Sequence, residues 1–385
     1  MLMLRIETLD TFDALQALAP EWQALFAQCS PRTPSKSPAW QMTWWRHFGS
    51  RRSLSSRHDM RVFALRDEAG ALVAVAPMML TSRPGFGPAL VREMQFFGAD
   101  AYVTQLRGPL CRRENLSEAG RALAAHLRAR KEHDLVQWRG LAPGACALEQ
   151  GERQATLEDI DSCLIMRESW EAFHAALPKK TRKHLRKSRN DLKAAGVEIE
   201  FHVSTEPQQA EEGLKTFYDL HGRRAAMTDV ARHPNVFEGE GARAFLDDYC
   251  AQMARAGDLR IFEIRVGGRI VAARLGFALG DELYLYFSGY DPDYGRYSIM
   301  TTLMAETLQW AHENGVSLVN LSSGVDRSKT RFRPEMIVSE GFYSVSAGLR
   351  GRLALAAMRK LRGGAPAPEA EDGPEEQEVG EPAGA

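Results

Sequence analysis

The sequence predicts an α/β (α+β) protein of two consecutive halves, each a mixed, mainly antiparallel sheet flanked by helices. Three observations lead there. Along the 385 residues, apolar positions switch repeatedly between helical spacing and strict alternation. Gly267-Gly268 and Gly280-Asp281 separate three successive apolar runs, a hairpin meander. In both halves such strands are followed by a helix and one more strand, the order that adds a parallel strand to a meander.

The elements follow in chain order. Phe12, Leu15, Ala19, Trp22 and Leu25 place a helix over 12–28, and 40–48 forms a second, aromatic-rich one. Strands at 61–66 and 71–80 meet at the hairpin turn Asp67-Glu68-Ala69-Gly70. Residues 115–130 are helical and 135–138 form a short strand. In the second half Ser169 caps a short helix. Pro178 suits the first turn of the next, which stops at Gly196. Val197, Ile199, Phe201 and Val203 alternate with Glu198, Glu200 and His202 as a half-buried strand. Leu214, Phe217, Leu220 and His221 mark a helix. Strands at 259–266, 270–279 and 283–288, a helix at 298–313, and strands at 316–321 and 341–347 complete the half. The expected divisions are 1–165, 166–350, a terminal helix at 351–362, and an acidic tail at 363–385. That tail is Pro, Gly, Ala and acid, too poor in apolar surface to fold.

Composition excludes several classes. A net charge of -1 creates no global field for nucleic acid or membrane. The N-terminus does not read as a signal peptide. The longest apolar stretch, 71–80, contains Pro77 and is far shorter than the roughly 20 residues a spanning helix needs. Cys29, Cys111, Cys146, Cys163 and Cys250 form no C-x-x-C pair, which fits reduced thiols and a cytoplasmic location. No metal-ligand spacing is visible. The segment 349–361, with Arg350, Arg352, Arg359 and Lys360, is a terminal packing helix or a peripheral membrane contact.

Chemistry concentrates in three places. In 283–300 an aromatic strand ends at Ser288-Gly289-Tyr290, turns through Asp291-Pro292, and Gly295 then opens a long helix. The first N–H groups of a helix lack internal partners and attract anions, a diphosphate in particular. Arg296 adds a charge there and Ser298 is placed to cap. The stretch 179–193 holds eight Lys or Arg and one acid, Asp191. Thr181, Leu185, Ser188 and Leu192 turn inward, which leaves the cations for an anionic partner or for solvent. Finally, the strand at 316–321 delivers Asp326, Lys329 and Arg331 at its C-terminal end. Asp326 is a candidate to orient or deprotonate an acceptor, Lys329 to neutralise a carbonyl oxygen, Arg331 to hold an acid. Tyr286 and Tyr290 are candidate proton donors to a leaving thiolate; His184 and His221 are candidate bases.

The run 177–334 resembles the GNAT-fold acetyltransferases of the CelD-like type, linked to cellulose or exopolysaccharide biosynthesis and related to the Fem-type aminoacyl transferases. Four pieces carry it: Lys180-Thr181-Arg182-Lys183-His184-Leu185-Arg186; Gly268 with Val271-Ala272-Ala273; Ser288-Gly289-Tyr290-Asp291-Pro292 with Tyr294 and Tyr297-Ser298; and Gly324-Val325-Asp326 with Lys329, Arg331 and Phe332. Ser37-Pro38-Ala39-Trp40 and Trp45 suggest that the first half is a degenerate GNAT-like partner. The resemblance implies acyl transfer from acyl-CoA (acetyl-CoA) to an amine or hydroxyl of a saccharide or small-molecule acceptor. No metal and no nucleic acid are implied. Ser288, Gly295, Arg296, Tyr297 and Ser298 would hold the donor, and Lys180, Arg182 and Arg186 with Arg331 the acceptor. Asp326, Lys329 and Tyr290 would carry catalysis. The family's small residues after the serine are here Ile299-Met300, and the Gln/Arg-x-x-Gly-x-Gly/Ala loop of ordinary GNAT enzymes is missing. Two alternatives stand beside this: a Fem-type transferase using aminoacyl-tRNA, and a non-catalytic GNAT-fold module of an exopolysaccharide machine.

Overall fold

A computed structural model describes residues 4–100, 103–141, 154–166, 169–227, 234–346 and 348–362. The acidic tail and Cys146 lie outside the described residues. In chain order the elements are β1 (Arg5–Leu9), α1 (Phe12–Ala27), α2 (Pro38–Trp44), β2 (Arg57–Arg66), β3 (Leu72–Arg83), β4 (Val91–Phe96), β5 (Leu110–Cys111), α3 (Leu116–Arg130), β6 (Leu135–Leu141), β7 (Gln154–Ile165), α4 (Trp170–Ala176) and α5 (Lys179–Ala194). Then come β8 (Glu200–Ser204), α6 (Pro207–Ala225), α7 (Glu240–Ala256), β9 (Leu259–Val266), β10 (Arg269–Leu279), β11 (Glu282–Tyr290), α8 (Ile299–Glu313), β12 (Leu318–Ser323), α9 (Arg327–Thr330), β13 (Glu335–Val345) and α10 (Leu349–Arg362).

All strands join one mixed sheet in the order β1-β2-β3-β4-β6-β13-β7-β12-β11-β10-β9-β8, with β5 beside β3. Two pairs are parallel, β4 with β6 and β11 with β12, one in each half. A helix crossover precedes the second strand of each pair, α3 in one case and α8 in the other. The internal duplication is therefore real in topology. The halves are not separable by chain order, however. β7 pairs with β12, and β13 lies between β6 and β7. A division at 165–166 leaves each half's last strand beside the other's sheet.

The core is shared as well. Trp40, from α2, meets Phe245, Tyr249 and Tyr286 of the second half edge-on at 4.8, 4.8 and 5.9 Å. Aromatic edges against ring faces are favoured by their quadrupoles, beyond the area they bury. Arg32 bonds the Asp281 carboxylate at 2.6 Å and the Leu279 carbonyl at 2.7 Å, holding the β10–β11 turn to the end of α1.

Several expectations change on folding. The half-buried strand expected at 197–203 forms only from Glu200, because β9 offers partners to 200–204 alone. The strand expected at 316–321 runs from Leu318 to Ser323, and that expected at 341–347 is the longer β13. The helix expected at 40–48 is α2 followed by a π-helical turn at Trp45–Gly49. Strands β1, β4 and β7 and helix α7 went unforeseen. α10 packs back: Arg350 reaches Asp134 at 3.0 Å and the Ala89 carbonyl at 2.8 Å, while Leu349 and Leu353 stay exposed. Among the described residues no helix is long and apolar enough to cross a membrane. Cys29, Cys163 and Cys250 are buried free thiols and Cys111 a half-buried one, its thiol pushed up to about 12 by burial.

Candidate functional site

The parallel pair of the second half stays in register for three residues only, Glu282–Leu318, Leu283–Val319 and Tyr284–Asn320. Beyond them the strands part. A bulge on β10 between Arg274 and Gly276 marks the same level of the sheet. The parting exposes the strand ends, where loops can bring side chains together.

On the β12 side the chain leaves the sheet through Ser322 and Gly324, with φ of 69° and 106°. Only glycine adopts the second of these without cost. Asn320 steadies the first by accepting from the Ser322 amide at 2.8 Å. β7 pins the turn: the Ile160 carbonyl accepts from the Gly324 amide at 2.8 Å, and Ser162 Oγ donates to the Gly324 carbonyl at 2.9 Å. Asp326 then caps α9, accepting from the Ser328 amide at 2.9 Å and from its hydroxyl. This short helix folds Lys329 back under the turn, where only 9% of it is exposed. Its Nζ donates to the Ser323 carbonyl, lies 3.4 Å from Ser322 Oγ and 3.6 Å from the Asp326 carboxylate.

On the β11 side Ser288 is buried, its hydroxyl 3.4 Å from both Arg224 of α6 and Arg274 of β10. Arg274 is also 9% exposed, and its Nε is buried without a hydrogen-bond partner. Such an orphaned donor costs about 1–3 kcal/mol unless a ligand meets it. Gly289 lets the α6 backbone sit directly on β11. His221 Nδ1 is 3.1 Å from the Ser288 carbonyl. Arg224 lies 5.8 Å from the centre of the Tyr290 ring, and the Tyr290 hydroxyl meets the Met227 sulfur at 3.6 Å.

The cations crowd one another, and burial with mutual charge shifts their acidities. Burial, then the like charge of Arg224, lowers Arg274 to about 10. Burial lowers Arg224, against the pull of Tyr290 and Asp326. Burial also lowers Lys329, opposed by Asp326 and reinforced by Arg274. For Asp326 burial pushes upward, but the Ser328 hydroxyl and the Lys329 charge win, so its carboxyl sits below the usual range. Asp161 of β7, which accepts from Asn320 at 3.2 Å and Ser323 at 3.2 Å, is raised by burial. Lys36, which reaches toward it from the first half, is lowered by burial. The cluster is thus a largely buried, cation-rich group of side chains at the strand ends with ionised Asp326 beside it, suited to hold an anion or a developing oxyanion.

Above it runs the turn into α8. The expectation that Gly295 opens the long helix is corrected. Asp291 and Pro292 start a 3-10 turn, Pro292–Tyr297, and α8 begins at Ile299. The reason is local: Asp291 Oδ1 caps that turn by accepting from the Asp293 amide at 3.2 Å, and proline favours its first position. Ser298 stands before α8 in the left-handed region, φ 53°, where its side chain makes no capping bond. Its carbonyl accepts from the Thr301 and Thr302 amides instead. Arg296 is exposed and stacks 4.8 Å from the Tyr297 ring centre; Gly295 passes the Tyr290 ring closely.

Helix α5 packs under this junction. Thr181, Leu185, Ser188 and Leu192 face inward as their spacing requires. Ser188 Oγ donates to the Tyr297 carbonyl at 2.6 Å and touches Thr302 Oγ1 at 2.6 Å. Thr181 donates to the Arg331 carbonyl at 3.1 Å, and Arg331 donates to Thr301 Oγ1 at 3.0 Å. Arg331 therefore ties the loop after β12 to the first turn of α8. Arg182 is half-buried with an unpartnered, buried Nε, whereas Lys180 and Arg186 are exposed.

The fold thus gathers Asp326, Lys329, Ser288 and Tyr290 around the parting of β11 and β12, with Arg331 beside α8. Tyr286 is corrected: it faces the other core, where its hydroxyl donates to the Val103 carbonyl. His221 is fully buried and lowered, mainly by burial, so it stays neutral at neutral pH. Sequence reasoning missed Arg274, Arg224, Asp161 and Lys36. Arg274 left a signal, as the one charged residue in the apolar run 270–279. Among the described residues no group of three or more His, Cys, Asp or Glu is placed to hold a metal.

Residues 179–330 match the family model described as acetyltransferase (GNAT) domain. The span covers α5 through α9, all of the site's elements except β7, and leaves out Lys36 and Arg331. The fold as a whole is similar to that of FemX, with a TM-score of 0.59 at 10% identity, over 91% of this chain and 99% of that one. It is also similar to the C-terminal domain of a putative lysylphosphatidylglycerol synthetase from Agrobacterium fabrum (TM-score 0.50, 13% identity, 90% and 96% covered). A third likeness is L-PGS from Bacillus licheniformis (TM-score 0.50, 14% identity, 88% and 96% covered). No curated protein matches the sequence. Residues 179–330 are thus similar to a GNAT domain, and a mixed, mainly antiparallel sheet flanked by helices is the fold expected.

Proposed function

We propose that this chain is an acyltransferase that moves an acyl group, acetyl in the simplest case, from acyl-CoA to an amine or hydroxyl of a saccharide or other small-molecule acceptor. One observation carries the reading: β11 and β12 separate after three paired residues, and buried Lys329 and Arg274 with half-buried Arg224 gather where they part. The first N–H groups of α8 and exposed Arg296 fit the diphosphate of the donor. The acceptor's nucleophile attacks the thioester carbonyl, its proton passes to solvent, and the carbon–sulfur bond breaks. Lys329 faces the carbonyl oxygen as negative charge develops on it. Asp326, held ionised, is a weak base and serves to orient Lys329. Tyr290 lies at the strand end, its hydroxyl bonded among the described residues to the Met227 sulfur alone, and protonates the departing thiolate. Arg331 and the α5 cations Lys180, Arg182 and Arg186 recruit an anionic acceptor, of which an exopolysaccharide precursor is one class.

The likeness to FemX along nearly the whole chain favours a Fem-type aminoacyl transferase as the second reading. A titration separates them. Purified protein is titrated with acetyl-CoA and longer acyl-CoAs, then again as Arg296→Glu. Tight binding that the substitution abolishes supports the CoA donor. Unchanged binding moves the donor elsewhere, and no binding of any acyl-CoA rejects the reading. An acceptor-dependent thiol-release assay then tests Lys329→Ala, for which wild-type turnover would remove that lysine from the chemistry.

A further inference from the structure

The first half repeats the parting of parallel strands. β4 and β6 pair over Glu93–Leu135, Met94–Val136 and Gln95–Gln137, again three residues, and then separate. A cavity of about 390 Å³ opens at that point, within the size range of small-molecule sites. Arg83, Arg107 and Arg139, His58 and the amides of Gln95 and Gln137 line it. Nothing in the acyl-transfer chemistry uses these groups.

The partners of each cation show which is left over. Arg83 donates to Glu93 at 2.8 Å, and Arg139 to Asp159 at 3.1 and 3.3 Å, while the Arg139 Nε is buried without a partner. Among the described residues Arg107 reaches Gln137 Oε1 alone, at 3.5 Å, and burial together with the like charge of Arg139 holds it below its ordinary value. Asp100 also borders the cavity and pulls Arg107 the other way, but its carboxylate is already occupied. It accepts from the Val103 amide at 2.6 Å, the Thr104 amide at 3.0 Å, the Thr104 hydroxyl at 2.6 Å and Trp44 Nε1 at 2.7 Å. The site is rigid at its back: Gln95 and Gln137 are both buried, the first bonded to Thr81 at 2.7 Å and the second to Tyr343 at 2.7 Å. At Arg139-Gly140 the sheet backbone presses on Arg107-Gly108 so closely that a Cβ on Gly140 would meet the Arg107 carbonyl at 2.3 Å. The guanidinium of Arg107 is thereby held at the mouth of the parting strands.

From this arrangement we infer that the first half binds a small organic phosphate, of sugar-phosphate size, at the parting of β4 and β6. The phosphoryl oxygens take the guanidinium forks of Arg107 and Arg139, a geometry that suits bidentate donation. The cavity exceeds a bare phosphate, and its neutral amides and His58 are donors and acceptors for hydroxyls. The site stands apart from the acyl-donor cleft and does not depend on the acyl-transfer reading.

The test is calorimetric titration of the full chain with glucose 1-phosphate, inorganic phosphate, glucose and gluconate. Binding of glucose 1-phosphate, with weaker binding of phosphate and none of glucose, is expected. Arg107→Gln should weaken it by about ten- to hundred-fold, the worth of a charge-assisted contact. Gln137→Glu keeps the shape, and the Tyr343 hydroxyl, which now accepts from the Gln137 amide, can turn to donate to the new carboxylate; Arg107 then has a carboxylate of its own, so the variant should abolish phosphate binding in a chain that still folds. Arg296→Glu, which disarms the other phosphate mouth, should leave it unchanged. No binding of glucose 1-phosphate, loss with Arg296→Glu but not with Arg107→Gln, or equal binding of gluconate would each overturn the inference.

Discussion

Replacing Gly289 with alanine tests whether α6 owes its position to a missing side chain. A Cβ there would lie 2.4 Å from the His221 amide nitrogen, 2.6 Å from the Leu220 carbonyl carbon and 2.8 Å from His221 Cα. These are backbone atoms of a long helix, and ordinary contact begins at 3.4 Å, so α6 must retreat by about 1 Å. The helix anchors Leu214, Phe217 and Leu220 in the shared core, and moving it loosens all three. Overpacking of this kind costs ~1–3 kcal/mol. Urea denaturation should show a lower midpoint at unchanged slope. The functional effect is larger than the energetic one. Arg224 sits near the end of the same helix with its guanidinium only 3.4 Å from the Ser288 hydroxyl, so the displacement pulls a half-buried cation away from the strand ends. A misplacement of that size in a catalytic site lowers turnover by as much as about 100-fold. Gly120→Ala is the control: its Cβ would meet nothing within 4 Å on α3, and helix propensity alone predicts a gain of about 0.5–1 kcal/mol. Wild-type stability and turnover for Gly289→Ala would refute the claim that α6 is seated by direct backbone contact.

Two further outcomes are expected. If Lys329 acts as a cation, the acyl-transfer rate falls as pH rises through its pKa, and burial places that fall below the ordinary 10.5 of a lysine. Asp326→Asn removes the charge that opposes this lowering and moves the falling limb to still lower pH; a limb that stays put or moves upward in the pH–rate profile would contradict the pairing. Trp40→Ala should cost ~3–5 kcal/mol in denaturant unfolding, the usual penalty for emptying a tryptophan site. Because the ring touches Phe245, Tyr249 and Tyr286, both halves should lose stability in one transition; two separate transitions in wild-type protein would count against a shared core.

Much of the second half was legible in one dimension because its signals are local. The glycine pairs at 267–268 and 280–281 set the meander. The inward face of α5 followed from Thr181, Leu185, Ser188 and Leu192, and all four are buried. Asp326 and Lys329 stood out at the end of a strand, and the fold does bring them within 3.6 Å. Periodicity served less well where burial is two-sided. β4 and β7 carry no clean alternation, since both of their faces are covered, whereas α7 does carry a helical stripe, Phe245, Leu246, Tyr249, Cys250 and Ala254, which the sequence reading passed over.

What the sequence determined by itself is most of the helices and the hairpins at 67–70, 267–268 and 280–281, for turn chemistry and apolar spacing act over a few residues. Which strands lie side by side was decided only in three dimensions. The exchange of β7 and β13 between the halves rests on hydrogen bonds spanning about half the chain, and no local pattern encodes a partner that distant. The same holds for the pocket. Arg224, Arg274, Lys329 and Asp161 come from four separate elements, and their altered titrations arise from burial and mutual charge, which exist only once the sheet has formed.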